Sequence, residues 1–130
     1  MSNTEPMVWF AMRATYGRNM EAKKMLDETG VESFIPMHHV ISLGKGGRKI
    51  KKYVPVVRDL VFVRTTKEGM LLLKEDIDFL RNIYIPTAEG KKQVVVVPDA
   101  QMYSFIMVSG SLNEGIMRWP EQLRRNVRQN

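Results

Sequence analysis

Three observations predict an α+β sandwich, an antiparallel sheet of about four to five strands flanked by three helices, with a basic β-hairpin protruding from it. Short runs rich in Val, Ile and Phe alternate with helical patterns in the order β-α-β, hairpin, β-α-β-β-α. A glycine-rich tip, Gly44-Lys45-Gly46-Gly47, stands between two strand-like segments, and its glycines supply the positive φ that a tight reversal needs. The charge is local. Residues 33–58 hold no Asp or Glu, yet carry Lys45, Arg48, Lys49, Lys51, Lys52 and Arg58. These cations equal the whole net charge of +6, because the remaining Lys and Arg are balanced by the 14 acidic residues.

The elements follow in order. Met7 to Ala14 is almost wholly apolar, with Trp9, Phe10 and Met12, and reads as a strand covered on both faces. Tyr16-Gly17 ends it. Arg18 to Thr29 reads as a helix whose inner face carries Ala22, Met25, Leu26 and Thr29, and Gly30 sits where a left-handed C-terminal cap belongs. Val31 to Pro36 is a short second strand. In the hairpin, Val40, Ile41 and Leu43 precede the tip, and Ile50, Tyr53, Val54 and Val56 follow it. Leu60 to Arg64 is the next strand. Thr66 is placed to cap a helix from Lys67 to about Lys74, with Met70, Leu71 and Leu73 facing inward. Leu80 to Ile85 and Gln93 to Val97 read as two strands joined through residues 87–90. Pro98-Asp99 opens the last helix, with Met102, Phe105 and Ile106 inward and Ser109-Gly110 at its end. Residues 1–110 are expected to form the folded domain, and 111–130 a loosely ordered basic tail or linker with a short helix over 121–128.

Composition excludes several classes of function. A chain of 130 residues can bury about two-thirds of its unfolded surface in one core. Cysteine is absent, so disulfides, zinc knuckles and thiol nucleophiles are ruled out, and a reducing cytoplasm fits. No run approaches the ~20 apolar residues that span a bilayer, and the first residues do not form a secretion signal. His38 and His39 are adjacent on a strand and therefore point to opposite faces, which argues against a shared metal. No spacing suggests a catalytic triad or paired carboxylates, so neither an enzyme nor a cofactor is expected.

The order of motifs resembles the N-terminal (NGN) domain of the NusG family, itself a ferredoxin-like variant. Trp9-Phe10-Ala11-Met12-Arg13-Ala14-Thr15-Tyr16-Gly17 resembles the opening "W-Y-x-x-x-x-x-x-G" of that family. Glu21, Lys24 and Leu26 resemble its "E-x-K-x-x-x-x-L" helix. Phe34-Ile35-Pro36, Leu60-Val61-Phe62-Val63 and Val96-Val97-Pro98-Asp99 resemble its "x-x-x-P", "Y-V-F-V" and "x-I-P-x" segments. Where the family writes "F-P-G-Y", this chain has Val57-Arg58-Asp59-Leu60, which is closer to the UpxY-like antiterminators of Bacteroides-type bacteria. No Gly-Asp-x-Val-x-Val motif follows Gly110, so the KOW barrel of the family is expected to be absent.

The resemblance implies a transcription elongation or antitermination factor that binds the clamp helices of RNA polymerase through an apolar surface and favours pause-resistant elongation. Carried over by position, the polymerase-binding candidates are Trp9, Phe10, Tyr16, Val57, Leu60 and Phe62. The hairpin residues Lys45, Arg48, Lys49, Lys51 and Lys52 are the candidates for contact with upstream or non-template DNA, or with leader RNA. If about three of these cations reach phosphates together, affinity falls roughly 40-fold between 50 and 200 mM salt. A stand-alone RNA-binding module of ferredoxin-like build is the alternative; it needs exposed aromatics at alternate positions of the central strands. A basic edge that merely prevents strand-to-strand aggregation is the bland alternative for the hairpin, but six cations with no acid over residues 33–58 favour nucleic-acid contact.

Overall fold

A computed structural model describes residues 5–111. The elements are β1 (Val8–Ala14), α1 (Asn19–Glu28), β2 (Glu32–Phe34), β3 (Met37–Leu43), β4 (Lys49–Pro55), β5 (Leu60–Thr65), α2 (Lys67–Asp76), β6 (Leu80–Asn82), β7 (Tyr84–Pro86), β8 (Lys92–Val94), β9 (Val96–Val97) and α3 (Asp99–Ser111). The expected α+β architecture with an antiparallel sheet and three helices is what the chain forms. The expectations for the tail and for a helix over 121–128 fall outside the described residues.

β1 is the axis of the main sheet, which runs β2-β5-β1-β6 with β9 also paired to β1. Its register against β5 places Phe10 opposite Val63, Ala11 opposite Phe62 and Met12 opposite Val61. Successive side chains alternate across a sheet, so this one strand feeds two cores. Phe10, Met12, Ala14, Val61 and Val63 pack under α1 and α2 with Ala22, Leu26, Met70 and Leu73. Trp9, Ala11, Leu60 and Phe62 pack on the opposite face with Met102 and Phe105 of α3. The Phe62 and Phe105 rings lie 6.2 Å apart. Cover on both faces explains why β1 and β5 read as continuous apolar runs.

The helix ends follow local chemistry. Gly30 has φ +79°, and a pair of bonds closes the C-terminus of α1: Gly30 N–H donates to Asp27 O and Val31 N–H to Leu26 O. Thr66 Oγ1 accepts from Gly69 N–H at 3.0 Å, which makes it the N-cap of α2 as expected. Leu71 does not face inward; it is 48% exposed. Met70, Leu73 and Ile77 occupy the buried stripe at helical spacing, and Leu71 lies about 100° round the helix from Met70. α3 continues through Ser109-Gly110 to Ser111.

The region before α3 corrects the reading of two long strands. Each breaks in two. β6 and β9 lie along the same edge of β1, at Met12–Ala14 and at Trp9–Phe10 respectively, while β7 and β8 pair with each other as a separate hairpin. Ile83 and Val95 are the exit points: Val95 N–H donates to Ile83 O at 2.9 Å, and Ala11 N–H to Val95 O at 3.1 Å. An apolar run gives no sign of where its strand changes partner.

Burial of Leu60 at 0% exposure yields a stability prediction. Leu60→Ala should cost about 2–5 kcal/mol in urea denaturation. Leu60→Asp, which buries an unpaired charge, should leave no cooperative unfolding transition by circular dichroism.

Candidate functional site

The hairpin β3–β4 forms its own two-stranded sheet, paired from Met37↔Pro55 to Leu43↔Lys49, outside the main sheet. At its tip Gly46 and Gly47 adopt φ +72° and +74°, and Gly44 N–H donates to Arg48 O at 2.6 Å. Lys45, Arg48, Lys49, Lys51 and Lys52 are all exposed. The ion pairs of the described residues are Arg13–Asp59, Arg18–Glu21, Lys23–Asp27 and Arg64–Glu32, and none uses a hairpin cation. Lys49 and Lys51 share one face by alternation; Lys52 lies on the other, and Lys45 and Arg48 stand at the tip.

The root of the hairpin is built differently. Val56 N–H donates to Pro36 O at 2.8 Å, and a turn then closes through Leu60 N–H to Val57 O at 3.4 Å, without a Pro-Gly pair. Asp59 fastens that turn to the end of β1. Its carbonyl accepts from Ala14 N–H at 2.8 Å, its Oδ1 from Gly17 N–H at 2.8 Å, and its Oδ2 from Arg13 Nη2 at 3.4 Å. Asn19, 1% exposed, opens α1 and donates through Nδ2 to Leu60 O at 3.1 Å and Val57 O at 3.5 Å. Beside them Arg18 hydrogen-bonds Glu21 at 2.8 and 2.9 Å and lies 3.7 Å over the Phe79 ring. That hydrogen bonding holds the Glu21 carboxyl below its ordinary range and the Arg18 guanidinium above its own.

This scaffold presents Tyr16. It sits in a helical turn at Thr15–Gly17 with φ +61°, the only positive φ at a non-glycine among the described residues, and is 84% exposed. A bulky residue in the left-handed region is costly, and here that residue is an aromatic turned to solvent. Tyr16, Met20, Val54, Pro55, Val56 and Arg58 line a shallow depression of about 450 Å³ between the first helix and the hairpin root. Met20 is 49% exposed.

The other expected contact residues divide. Val57 is half-buried against the second core. Trp9, Phe10, Leu60 and Phe62 are 5, 4, 0 and 0% exposed, so they belong to the two cores and offer little or no surface. The physical reason is the central place of β1 and β5, whose two faces are both covered. That burial also removes the exposed central-strand aromatics that an RNA-binding sheet needs. Sequence reasoning missed Met20, Val54 and Val56 as surface residues and Asn19 and Asp59 as their supports. Met20 lies off the inner stripe of Ala22 and Leu26, which is the one available signal.

A twice-covered antiparallel sheet, a shallow depression at the hairpin root and a projecting cationic hairpin together define the α+β domain. The family model described as transcription termination factor nusG matches residues 7–106, and the chain belongs to the NusG family. No curated protein matches the chain. The family is one of transcription factors and not of enzymes, and membership places the chain in transcription elongation and antitermination. Among the described residues no helix is long and apolar enough to cross a membrane.

Asp59→Ala removes the acceptor for Gly17 and the partner of Arg13 together. It should cost about 1–3 kcal/mol in thermal or urea unfolding. Amide exchange at Gly17, followed by NMR, should accelerate more than exchange in β1.

Proposed function

We propose that the chain is a cytoplasmic elongation or antitermination factor that docks on the clamp helices of RNA polymerase through the depression at the hairpin root. Tyr16 and Met20 are its projecting contacts, Val54 and Val56 line it, and Val57 is the next residue of the turn, half-buried against the second core. The hairpin, with Lys45, Arg48, Lys49, Lys51 and Lys52, reaches upstream or non-template DNA, or leader RNA, and the bridged complex favours pause-resistant elongation. Residues 1–110 are the NGN-like unit and 111–130 a basic tail. The Val57-Arg58-Asp59-Leu60 segment supports an UpxY-like specialised member.

The observation that carries this reading is Tyr16, an exposed aromatic kept at a positive φ beside Met20. Ordinary surface selection would place Gly or Asn there. The exposed Tyr16 and Met20 at the root and the cluster of lysines toward the tip support two different partners for the two ends.

The proposal is tested by capture on core RNA polymerase. Tyr16→Gly relieves the left-handed strain, which costs about 1–2 kcal/mol per residue, so its melting temperature should hold or rise. Its polymerase affinity should nevertheless fall by at least about tenfold, as should that of Met20→Glu. Removal of residues 45–48 should spare capture. Undiminished co-purification of both root variants would exclude this surface.

A further inference from the structure

The two strands of the hairpin have unlike outer edges. Among the described residues β3 and β4 pair only with each other, so each has one edge without a strand partner. Gly44 N–H donates to Arg48 O at one end of the ladder, and Val56 N–H to Pro36 O at the other. Both ends give the same alternation. The even-numbered residues of β3 bond to β4, and the backbone N–H and C=O of Met37, His39, Ile41 and Leu43 point away from it. The corresponding outward positions of β4 are Lys49, Lys51, Tyr53 and Pro55. Two exposed lysines and a proline without an N–H therefore guard the β4 edge. β3 has no Lys, Arg, Asp, Glu or Pro in its 7 residues. Ile41 and Leu43 on it are 69 and 74% exposed.

An unguarded edge of this length is a template for another strand. Two copies of the hairpin can meet edge to edge in three ways. β4 against β4 sets the lysine rows side by side at about 4.8 Å, where like charges repel. β3 against β4 is a head-to-tail contact that leaves an edge open at each end and never closes, and it meets Pro55. β3 against β3 is isologous: an antiparallel strand pairs with itself about a two-fold axis, and both unguarded edges are used up. With the axis at Val40, Met37 falls opposite Leu43 of the second copy and His39 opposite its Ile41. Every outward backbone group then meets an outward backbone group. Ile41 and Leu43 of both copies lie on one face of the resulting four-stranded sheet. The β4 strands become its outer edges, about 14 Å apart, which exceeds the ~8 Å screening length at physiological salt.

We propose that the chain binds a second copy of itself through the outer edge of β3, the two strands pairing antiparallel about Val40. The inference stands apart from the polymerase reading. One strand of 7 residues from each copy is small beside the roughly 1,600 Å² of a standard interface. The dimer is therefore weak and reversible, and it forms as concentration rises.

The test is sedimentation velocity of the full chain across a concentration series, which should show a monomer–dimer equilibrium. Ile41→Lys gives β3 the guard that β4 already has and sets like charges close together, so the dimer dissociation constant should rise at least about tenfold. Ile50→Lys adds the same charge on β4 and should leave the dimer intact. Ile41 and Ile50 lie outside both cores, so an unchanged melting temperature of the dilute variants certifies the fold. The chain has no cysteine, so a single introduced thiol reports the contact. Val40→Cys would face its own copy at a non-hydrogen-bonded pair, with Cα atoms about 4.5 Å apart and within disulfide reach. It should cross-link the dimer under mild oxidation, whereas Lys52→Cys, across the ladder on β4, should not. A wild-type chain that sediments as a monomer throughout overturns the proposal, and so does a dimer of equal strength in Ile41→Lys. Failure of Val40→Cys to cross-link a dimer that Ile41→Lys dissolves refutes the pairing about Val40. If the chain is monomeric alone and Ile41→Lys lowers polymerase capture, the edge belongs to the polymerase and the proposal falls.

Discussion

The polar clasp around Val57 to Leu60 decides where everything else points. A two-stranded hairpin buries little of its own and is marginal in isolation. Its direction relative to the body is therefore set at its root. There Asp59 ties the turn to Ala14, Gly17 and Arg13, and Asn19 ties the start of α1 to the carbonyls of Val57 and Leu60. Asn19 is buried, so loss of these bonds would leave a desolvated amide without partners. The same few contacts hold Tyr16 in its left-handed turn, because Gly17 N–H is anchored on Asp59. Gly17 suits its own φ of +69°, where a side chain would be strained. Hairpin direction and aromatic display are thus one structural event, and a change in either disturbs the other.

The fold was largely legible because its strongest signals are local. Apolar runs at Val8–Ala14 and Leu60–Thr65, the Gly30 cap and the Thr66 cap each depend on neighbours a few residues away. The site was less legible because exposure is a tertiary property. Phe10 and Phe62 have the same chemistry whether they face solvent or a helix, and nothing in the local sequence says that α3 covers one face of β1 while α1 and α2 cover the other. Resemblance by position transferred residue names but not their solvent exposure. Tyr16 and Val57 survive as surface candidates because they stand at turns, where the sheet no longer covers them. The split of β6 from β9 was unreadable for a related reason: Ile83 and Val95 are as apolar as the strands they interrupt, and only their bonds mark the departure.

Two local rules are broken, and both breaks lie on the same side of the molecule's logic. A tyrosine occupies a backbone region suited to glycine, and a free-standing hairpin exposes Ile41, Leu43 and Tyr53. Elsewhere the Gly30 and Thr66 caps are filled, buried stripes follow helical spacing, and the buried Asn19 is bonded, while Arg13 Nε and His39 Nδ1 are buried without a partner. Conflict confined to a few residues is the pattern expected where a surface is kept for a partner. The tension is also physically separable. Tyr16 and the hairpin face lie outside the two cores, so changes there leave both cores packed.

A factor that rides on a moving enzyme needs its two contacts to differ in strength. On the proposed arrangement the apolar root holds the polymerase, and the hairpin then meets its strand as an intramolecular event, at an effective concentration set by geometry. Such a contact can be weak in free solution and still be occupied in the complex. A weak contact is also what movement requires, since the strand must slip past the hairpin as the enzyme advances. A few lysines on flexible stems would suit that demand, since each ammonium can exchange one phosphate for the next. A dense arginine cluster with bidentate grip would hold more tightly and resist translocation. The hairpin accordingly carries four lysines and a single arginine, Lys45, Lys49, Lys51, Lys52 and Arg48, between residues 45 and 52.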